Sequence, residues 1–198
     1  MTDAAPTPLS ASHSPWLRWR VPLGFLFGFS YLFLTRSPGG IALSVCSALV
    51  VFGCLLRSWA AGYLFKGKRV AVGGPYAYVR NPLYVGSFFI GLGFCAALWR
   101  QPLTWPVVLF WAVFAVGFLG VYPAKSKAEE KELLKNLGDA YGAYAAKVPA
   151  YLPSRGRVAG LGEQRFNREL FQRNREYQCW AGSAAVLAIL LLRYFRGS

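Results

Sequence analysis

The chain has 198 residues, of which 55% are hydrophobic and 17% aromatic, and its formal net charge is +14. Its apolar residues come in runs long enough to span a membrane, which excludes an ordinary soluble domain. The basic residues lie between those runs, and no nucleic-acid-binding motif accompanies them. The charge therefore indicates membrane topology and attraction to anionic lipid rather than a nucleic-acid partner.

Most of the chain is predicted to form one integral membrane domain, residues 16–198, after a disordered Pro/Ser/Thr-rich tail, residues 1–15. Four apolar runs approach the ~20 residues that a membrane-spanning helix needs. They are Trp19 to Thr35, Ile41 to Leu64, Leu83 to Trp99 and Trp105 to Tyr122. A shorter run, residues 179–195, is a candidate fifth span.

The polar segment after the fourth run is predicted to be helical but outside the membrane. Pro123 is expected to end the span, and residues 124–147 are rich in Lys, Glu, Leu and Ala, with Gly138 and Gly142 expected to break the helix. Residues 163–177 mix aromatic side chains with four arginines, which predicts a helix on the membrane surface. The predicted fold is all-α, a polytopic membrane protein with about five transmembrane helices and cytoplasmic interfacial helices.

Charge sets the predicted orientation. Most of the 22 Lys and Arg residues lie before the first span, in residues 66–80, and between Pro123 and Tyr177. The positive-inside rule places these segments and the N-terminus in the cytoplasm. The exception within a span is Arg57, which either snorkels to the interface or has a functional role.

Cysteine and histidine usage favours neither a disulfide framework nor a metal site. The four cysteines include no CxxC pair, and three of them lie inside apolar runs, so small buried residues are predicted. They are Cys46, Cys54, Cys95 and Cys179. His13 is the only histidine, which argues against a histidine-based zinc centre.

The most distinctive stretch is residues 72–86, a glycine-, proline- and aromatic-rich segment that we call the signature loop. Gly73 and Gly74 permit a tight or left-handed backbone. Pro82 suits the first turn of the following helix, with Asn81 as its N-cap. A well-capped connection between two spans explains these features about as well as a functional site does.

Several motifs occur here in an order typical of one protein family. They are Gly74-Pro75-Tyr76, Arg80-Asn81-Pro82-Leu83-Tyr84, Glu129-Glu130, Leu133-Leu134, Gly138, Tyr141, Tyr144 and Val148-Pro149. Together, over about residues 66–153, they resemble the isoprenylcysteine carboxyl methyltransferase family, including its bacterial relatives and the related phospholipid methyltransferases. The first span and the tail after Pro153 carry none of this pattern.

The resemblance implies a membrane enzyme that binds S-adenosyl-L-methionine without a Rossmann domain, in a cytoplasm-facing pocket capped by the signature loop and the helix after the fourth span. By analogy, the cofactor contacts are Val70, Ala71, Gly74, Tyr76, Asn81, Pro82, Leu83, Tyr84, Glu129 and Glu130. The predicted catalytic residues are Arg80 and Lys125. Lys125 stands where the family has a substrate-contacting arginine, so it keeps the charge but loses the bidentate fork. Asn81 replaces a histidine, so it can donate a hydrogen bond but cannot carry a proton.

The predicted function is S-adenosylmethionine-dependent methyl transfer to a small hydrophobic or lipid-borne acceptor at the cytoplasmic face of a bacterial inner membrane. Carboxyl O-methylation is favoured over methylation of a lipid amine or of another oxygen, because an ionised carboxylate needs no base. The expected partners are the lipid bilayer and the lipophilic acceptor. Two alternatives stay open: an NADPH-dependent membrane reductase of the sterol-reductase type, and a non-catalytic membrane scaffold with a degenerate site.

A lipophilic acceptor could enter sideways between the spans. Phe88, Phe89 and Trp111 are candidates for lining that route, although plain helix packing explains them equally well.

Overall fold

The computed structural model describes residues 30–34, 36–65, 69–99, 101–102, 104–154, 156–158 and 164–197. The chain divides into two compact units, Met1–Leu34 and Thr35–Ser198. In the first unit, the described residues 30–34 are helical. The predicted disordered tail and most of the first predicted span lie outside the described residues.

The described part of the second unit is built from helices and contains no strand, which confirms the predicted all-α class. The helices are α1 (Gly40–Ala61), α2 (Pro82–Ala96), α3 (Trp105–Val116), α4 (Tyr122–Lys147), α5 (Arg168–Arg173) and α6 (Tyr177–Gly197). A 3₁₀ turn, Gly74–Ala77, lies in the signature loop, and a π-helical turn, Gly117–Val121, joins α3 to α4.

Three helices in the described part of the chain are long and apolar enough to cross a membrane. They are α1, the continuous helix Trp105–Lys147, and α6. Helix α2 is apolar but has only 15 residues, so it is about 22 Å long against a hydrocarbon core of about 30 Å. The predicted count of about five spans is therefore not confirmed. The run predicted as the last span is long enough, because its helix already begins at Tyr177.

Pro123 does not end the fourth apolar helix, contrary to the prediction. The helix passes from α3 through the π turn into α4, and Pro123 lies in the first turn of α4. At the end of the π turn the Tyr122 N–H donates to the Gly117 carbonyl, five residues back. The hydrogen-bonding register thus changes directly before the proline, which lets the helix accommodate a residue without an N–H donor.

The predicted break at Gly138 is confirmed, whereas the one at Gly142 is wrong. Gly138 has φ 52° and ψ −133°, a left-handed φ that glycine adopts without steric cost. Gly142 stays helical. The last turns of α4 therefore follow a kink at Gly138.

Two glycines allow α1 and α2 to pack closely. A Cβ atom on Gly53 would lie 2.5 Å from the Gly86 carbonyl oxygen, and a Cβ on Gly86 would lie 2.8 Å from the Gly53 carbonyl oxygen. Small residues at facing positions let helix backbones approach each other in this way inside membranes. The contact places the first turns of α2, which belong to the signature loop, against the second half of α1.

We expect Gly53→Ala to lower the free energy of unfolding by about 1–3 kcal/mol, because the added methyl group overlaps the facing backbone. Gly182→Ala is the matched control, since Gly182 also lies within a helix but a Cβ atom added there would meet nothing within 4 Å. At that position, helix propensity favours alanine by up to about 1 kcal/mol. Thermal unfolding in detergent measures both variants. A Gly53→Ala protein as stable as the wild type would contradict the close packing.

Arg57 is paired inside the protein and does not snorkel. Its Nε and Nη2 atoms donate to the two carboxylate oxygens of Glu176, each at 2.9 Å. Its Nη1 atom donates to Ser87 Oγ at 2.6 Å and to the Leu83 carbonyl at 3.3 Å. The Arg57 and Glu176 side chains are 22% and 8% exposed. A largely buried bidentate ion pair therefore joins α1, α2 and the turn before α6.

Only part of the predicted surface helix over residues 163–177 is helical in the described residues. Helix α5 covers six residues, and the Asn167 side chain caps its N-terminus by accepting from two backbone N–H groups. The helix ends at Asn174, and the next residue, Arg175, has φ 56°. The chain thus turns sharply between α5 and α6.

The cysteines lie in helix contacts. Cys46, Cys54 and Cys95 are buried, as predicted, and Cys179 is partly buried. All four are free thiols. Cys54 Sγ lies 3.6 Å from Ser183 Oγ, where α1 meets α6.

Candidate functional site

Backbone hydrogen bonds attach the signature loop to the segment that follows α4. The donor and acceptor pairs are Arg80 N to Pro149 O (2.8 Å), Asn81 N to Ala150 O (3.2 Å), Ser154 N to Tyr78 O (3.0 Å) and Val158 N to Ala77 O (3.0 Å). The signature loop and the segment after α4, far apart in sequence, therefore lie side by side.

Gly74 has a left-handed backbone, one of the conformations that glycine permits at this position. Its φ is 54°, and a Cβ atom there would overlap the ring of Tyr63. Gly73 instead has φ −93° and ψ 170°, an extended conformation open to any residue. Gly74 starts the 3₁₀ turn that contains Tyr76.

Tyr76 is packed into the protein. Its side chain is 6% exposed and forms a cluster with Ala60 and Ala71, against which Leu83 packs. Burial raises the pKa of the Tyr76 phenol, so the ring stays neutral. Its carbonyl oxygen accepts a hydrogen bond from the Tyr144 hydroxyl at 2.9 Å. Three predicted cofactor contacts, Ala71, Tyr76 and Leu83, thus share one cluster.

Val70, although adjacent to Ala71, belongs to a different cluster. It packs against Tyr141, Tyr144 and Val148, which lie in and directly after the last turns of α4. The two neighbouring residues predicted to contact a cofactor therefore face opposite sides of the backbone.

We expect Tyr144→Phe to destabilise the protein by about 1 kcal/mol, because the buried Tyr76 carbonyl loses its side-chain partner. Tyr141→Phe is the matched control, since the Tyr141 hydroxyl forms no hydrogen bond with a described residue. Chemical unfolding in detergent measures the difference. Equal losses in the two variants would contradict a specific role for the Tyr144 hydrogen bond.

Arg80, Asn81 and Glu130 form a polar cluster between the loop and α4. Arg80 Nη2 lies 3.4 Å from Glu130 Oε1, and Arg80 Nη1 donates to the Ala145 carbonyl at 2.7 Å. Asn81 Nδ2 donates to Glu130 Oε1 at 3.3 Å and to the Ala150 carbonyl at 3.2 Å. Glu130 therefore anchors the loop to α4.

This cluster changes what Asn81 and Arg80 can offer a ligand. Asn81 occupies the N-cap position of α2, as predicted, but its side chain does not cap the helix. Both of its N–H donors are used inside the protein, so only its oxygen is left to bind a ligand. Arg80 Nε is buried and has no hydrogen-bond partner among the described residues.

Tyr84, Lys125 and Glu129 form a second, more open group. Lys125 Nζ lies 3.8 Å from Glu129 Oε1 and 5.8 Å from the centroid of the Tyr84 ring. The Lys125 and Glu129 side chains are 52% and 48% exposed. The Glu129 carboxylate also interacts with the Tyr84 hydroxyl. The two adjacent glutamates thus differ, because Glu130 is tied to the loop and Glu129 is half exposed beside Tyr84.

An apolar cavity of about 590 Å³ adjoins this group. Its walls come from α1, α2, the π turn, the signature loop and the segment after α4. The lining residues are Phe52, Leu56, Trp59, Pro75, Tyr78, Val79, Tyr84, Val85, Phe88, Phe89, Phe118, Leu119, Tyr122, Tyr151, Leu152 and Pro153. The volume lies within the range of sites that bind small molecules.

Aromatic residues from α2 and the π turn shape one wall of the cavity. Tyr84 packs edge-on against Tyr122 at 5.1 Å, and Tyr122 stacks on Phe118 at 4.5 Å. Phe88 and Phe89 line the cavity, as expected for an access route, but Trp111 does not. The π turn therefore matters to the site, because it carries Phe118 and precedes Tyr122.

The predicted site residues fall into the groups described above, and Pro82 is buried at the start of α2 beside them. Sequence reasoning missed the cavity residues Tyr151 and Leu152, which lie two and three residues after the last motif. It also missed Gln164 and Glu176. For Glu176 a signal existed, since it is one of only eight acidic residues and lies three residues before the apolar run 179–195.

Comparison with known proteins found similarity to protein-S-isoprenylcysteine O-methyltransferase of Schizosaccharomyces pombe. The two are 31% identical over 133 residues, which are 65% of this chain and 53% of the relative. The chain thus spans about half the length of the curated relative it matches. No family model and no solved structure matches the chain. Together with the apolar helices, the similarity identifies an integral membrane protein, and the predicted resemblance to the isoprenylcysteine carboxyl methyltransferase family is confirmed.

Proposed function

We propose that this protein transfers a methyl group from S-adenosylmethionine to the carboxylate of a hydrophobic or lipid-borne acceptor at the cytoplasmic face of the membrane. The observation that carries this proposal is the position of Tyr84. It lies within the family motif, contacts Lys125 and Glu129, and lines the apolar cavity. Polar groups suited to a charged cofactor thus adjoin a space suited to an apolar acceptor.

The polar groups fit S-adenosylmethionine. The buried Arg80 Nε, without a partner among the described residues, can donate to the carboxylate of the cofactor. The half-exposed Glu129 can accept from its ammonium or ribose hydroxyl groups, and Asn81 can offer its oxygen. The cofactor supplies a methyl group bound to a positively charged sulfur. Tyr84 can turn its ring face toward that charge.

Methyl transfer of this kind is an in-line displacement, so the protein must align two reactants and exclude water. A carboxylate acceptor is already ionised at neutral pH, so no side chain need remove a proton. Lys125 lies near the ring of Tyr84, which lines the cavity, and can hold that carboxylate as a single positive charge. These requirements match the site, since none of its matched residues is a histidine.

The apolar part of the acceptor would occupy the cavity between α1, α2 and the π turn. Its lining of aromatic and aliphatic side chains suits an isoprenoid or acyl chain, and it favours exclusion of water. The basic residues of segment 66–80 and the charged part of α4 support a cytoplasmic location for the reaction.

Transfer of a radiolabelled methyl group tests the proposal. The purified protein in nanodiscs is given S-adenosylmethionine with a tritiated methyl group and an acceptor, either N-acetyl-S-farnesylcysteine or a bacterial lipid extract. We expect label in the organic phase that alkali releases as methanol, as a methyl ester requires. Label that survives alkali would indicate amine or ether methylation, and no transfer to either acceptor would contradict the proposal.

A further inference from the structure

Residues 164–176 lie across the end of α1 and the start of the signature loop, and we call this segment the C-terminal strap. We propose that the strap positions the signature loop for cofactor binding and that Gln164 is the positioning residue. The inference rests on the proposed function. The motif pattern ends near Pro153, so no motif gives this segment a role.

The Gln164 side chain joins the loop to the end of α1. Its Oε1 atom accepts hydrogen bonds from the Val72 and Gly73 N–H groups, both at 3.0 Å. Its Nε2 atom donates to the Tyr63 carbonyl at 3.1 Å. One amide group thus sets the distance between the end of α1 and the loop. The two loop residues that it binds, Val72 and Gly73, lie between the candidate cofactor residues Ala71 and Gly74.

Two glycines leave room for the strap. A Cβ atom on Gly73 would lie 2.6 Å from Gln164 Cβ and 2.8 Å from the Gln164 carbonyl oxygen. Since the φ of Gly73 is ordinary, its small size rather than its backbone conformation explains a glycine here. A Cβ atom on Gly62 would overlap the ring of Phe166, another residue of the strap. Residues of the strap therefore pack closely against these two glycines.

Further contacts anchor the rest of the strap to α1. The Asn167 N–H donates to the Gly62 carbonyl at 2.9 Å. Asn174 Nδ2 donates to the carbonyls of Ala61 and Leu64 at 2.8 and 3.1 Å, so it caps the C-terminus of α1. These bonds give partners to backbone carbonyl groups at the end of α1 and directly after it.

The contact at the end of the strap, through Glu176, reaches the C-terminal part of the signature loop. Glu176 holds Arg57, and Arg57 donates to the Leu83 carbonyl in the first turn of α2. The strap therefore fixes the motif at Val72 and Gly73 before the 3₁₀ turn and at Leu83 after it. Gln164 acts through the loop backbone, so its loss should change cofactor affinity and loop dynamics more than global stability.

Calorimetric titration with S-adenosylhomocysteine and amide hydrogen exchange test the inference on the full-length protein in detergent. Gln164→Met removes all three hydrogen bonds of the side chain, and we expect it to weaken binding by about tenfold or more. Gln164→Glu keeps the acceptor for both loop N–H groups but loses the donor to the Tyr63 carbonyl, so its affinity should lie between those of Gln164→Met and the wild type. Gln172→Met, at an exposed position of α5, is the matched control and should change nothing. If Gln164→Met does not fold, Gln164→Asn, whose amide cannot span the same gap, replaces it.

The outcomes separate the two proposals. If wild-type protein does not bind S-adenosylhomocysteine, the proposed function fails, but faster exchange at residues 72–73 in Gln164→Met would still show that the strap orders the loop. If the wild type binds and Gln164→Met binds equally well, the positioning role is overturned. A lower melting temperature with unchanged affinity would also overturn it, because the strap would then serve stability alone.

Discussion

Replacing Glu176 by alanine is expected to lower the free energy of unfolding by about 3–5 kcal/mol, because removing one partner of a buried ion pair leaves the other charge uncompensated. Arg57 would keep Ser87 and the Leu83 carbonyl as partners but would lose two charge-assisted hydrogen bonds. Since Arg57 is 22% exposed, water can replace part of that interaction, which favours the lower end of the range.

A double substitution separates the charge from the packing. In Arg57→Met/Glu176→Met no unpaired charge is left, so most of the stability lost in Glu176→Ala should return. Lys131→Met, at an exposed position of α4, is the control for removing a charge elsewhere. Unfolding by denaturant in a fixed detergent measures all three proteins. If Glu176→Ala is as stable as the wild type, the ion pair does not join the helices as the structure indicates.

The same substitution at Glu129 and at Glu130 should affect different properties of the protein, ligand affinity at Glu129 and stability at Glu130. We expect Glu129→Gln to weaken S-adenosylhomocysteine binding by roughly 10- to 100-fold, the range for a lost hydrogen bond to a charged group, with little change in melting temperature. Glu130→Gln should instead lower the free energy of unfolding by about 1–3 kcal/mol, because Arg80 and Asn81 lose the carboxylate that anchors them.

Each variant is the control for the other, since the two residues are adjacent and the substitutions identical. Titration measures affinity, and thermal unfolding measures stability on the same samples. The site assignment is wrong if Glu130→Gln abolishes binding without loss of stability while Glu129→Gln binds normally.

Local patterns were sufficient to predict several features of the fold. Hydropathy identified α1, the apolar part of Trp105–Lys147 and the region of α6, and glycine chemistry predicted the helix break at Gly138 and allowed for the left-handed backbone at Gly74. Hydropathy could not predict that α2 ends at Ala96, because the apolar run continues beyond it. The rule that proline ends a helix also failed at Pro123, because a π turn changes the hydrogen-bonding register of the helix just before this residue.

The contacts that complete the candidate site lie far apart in sequence. Arg57 and Glu176 are separated by 119 residues, and Gln164 by 91 from Gly73. No local period links such pairs. The motif also could not distinguish Glu129 from Glu130, because only the fold shows which carboxylate meets Arg80 and which lies beside Tyr84.

Calorimetric titration of the wild-type protein with S-adenosylhomocysteine, and in parallel with NADPH, distinguishes a methyltransferase from a reductase and from a scaffold. We predict saturable binding of S-adenosylhomocysteine at one site per chain and no binding of NADPH. Binding of NADPH alone would overturn the proposed methyl transfer and favour a membrane reductase. Binding of neither ligand by a folded sample would also contradict it and favour a scaffold without catalytic activity.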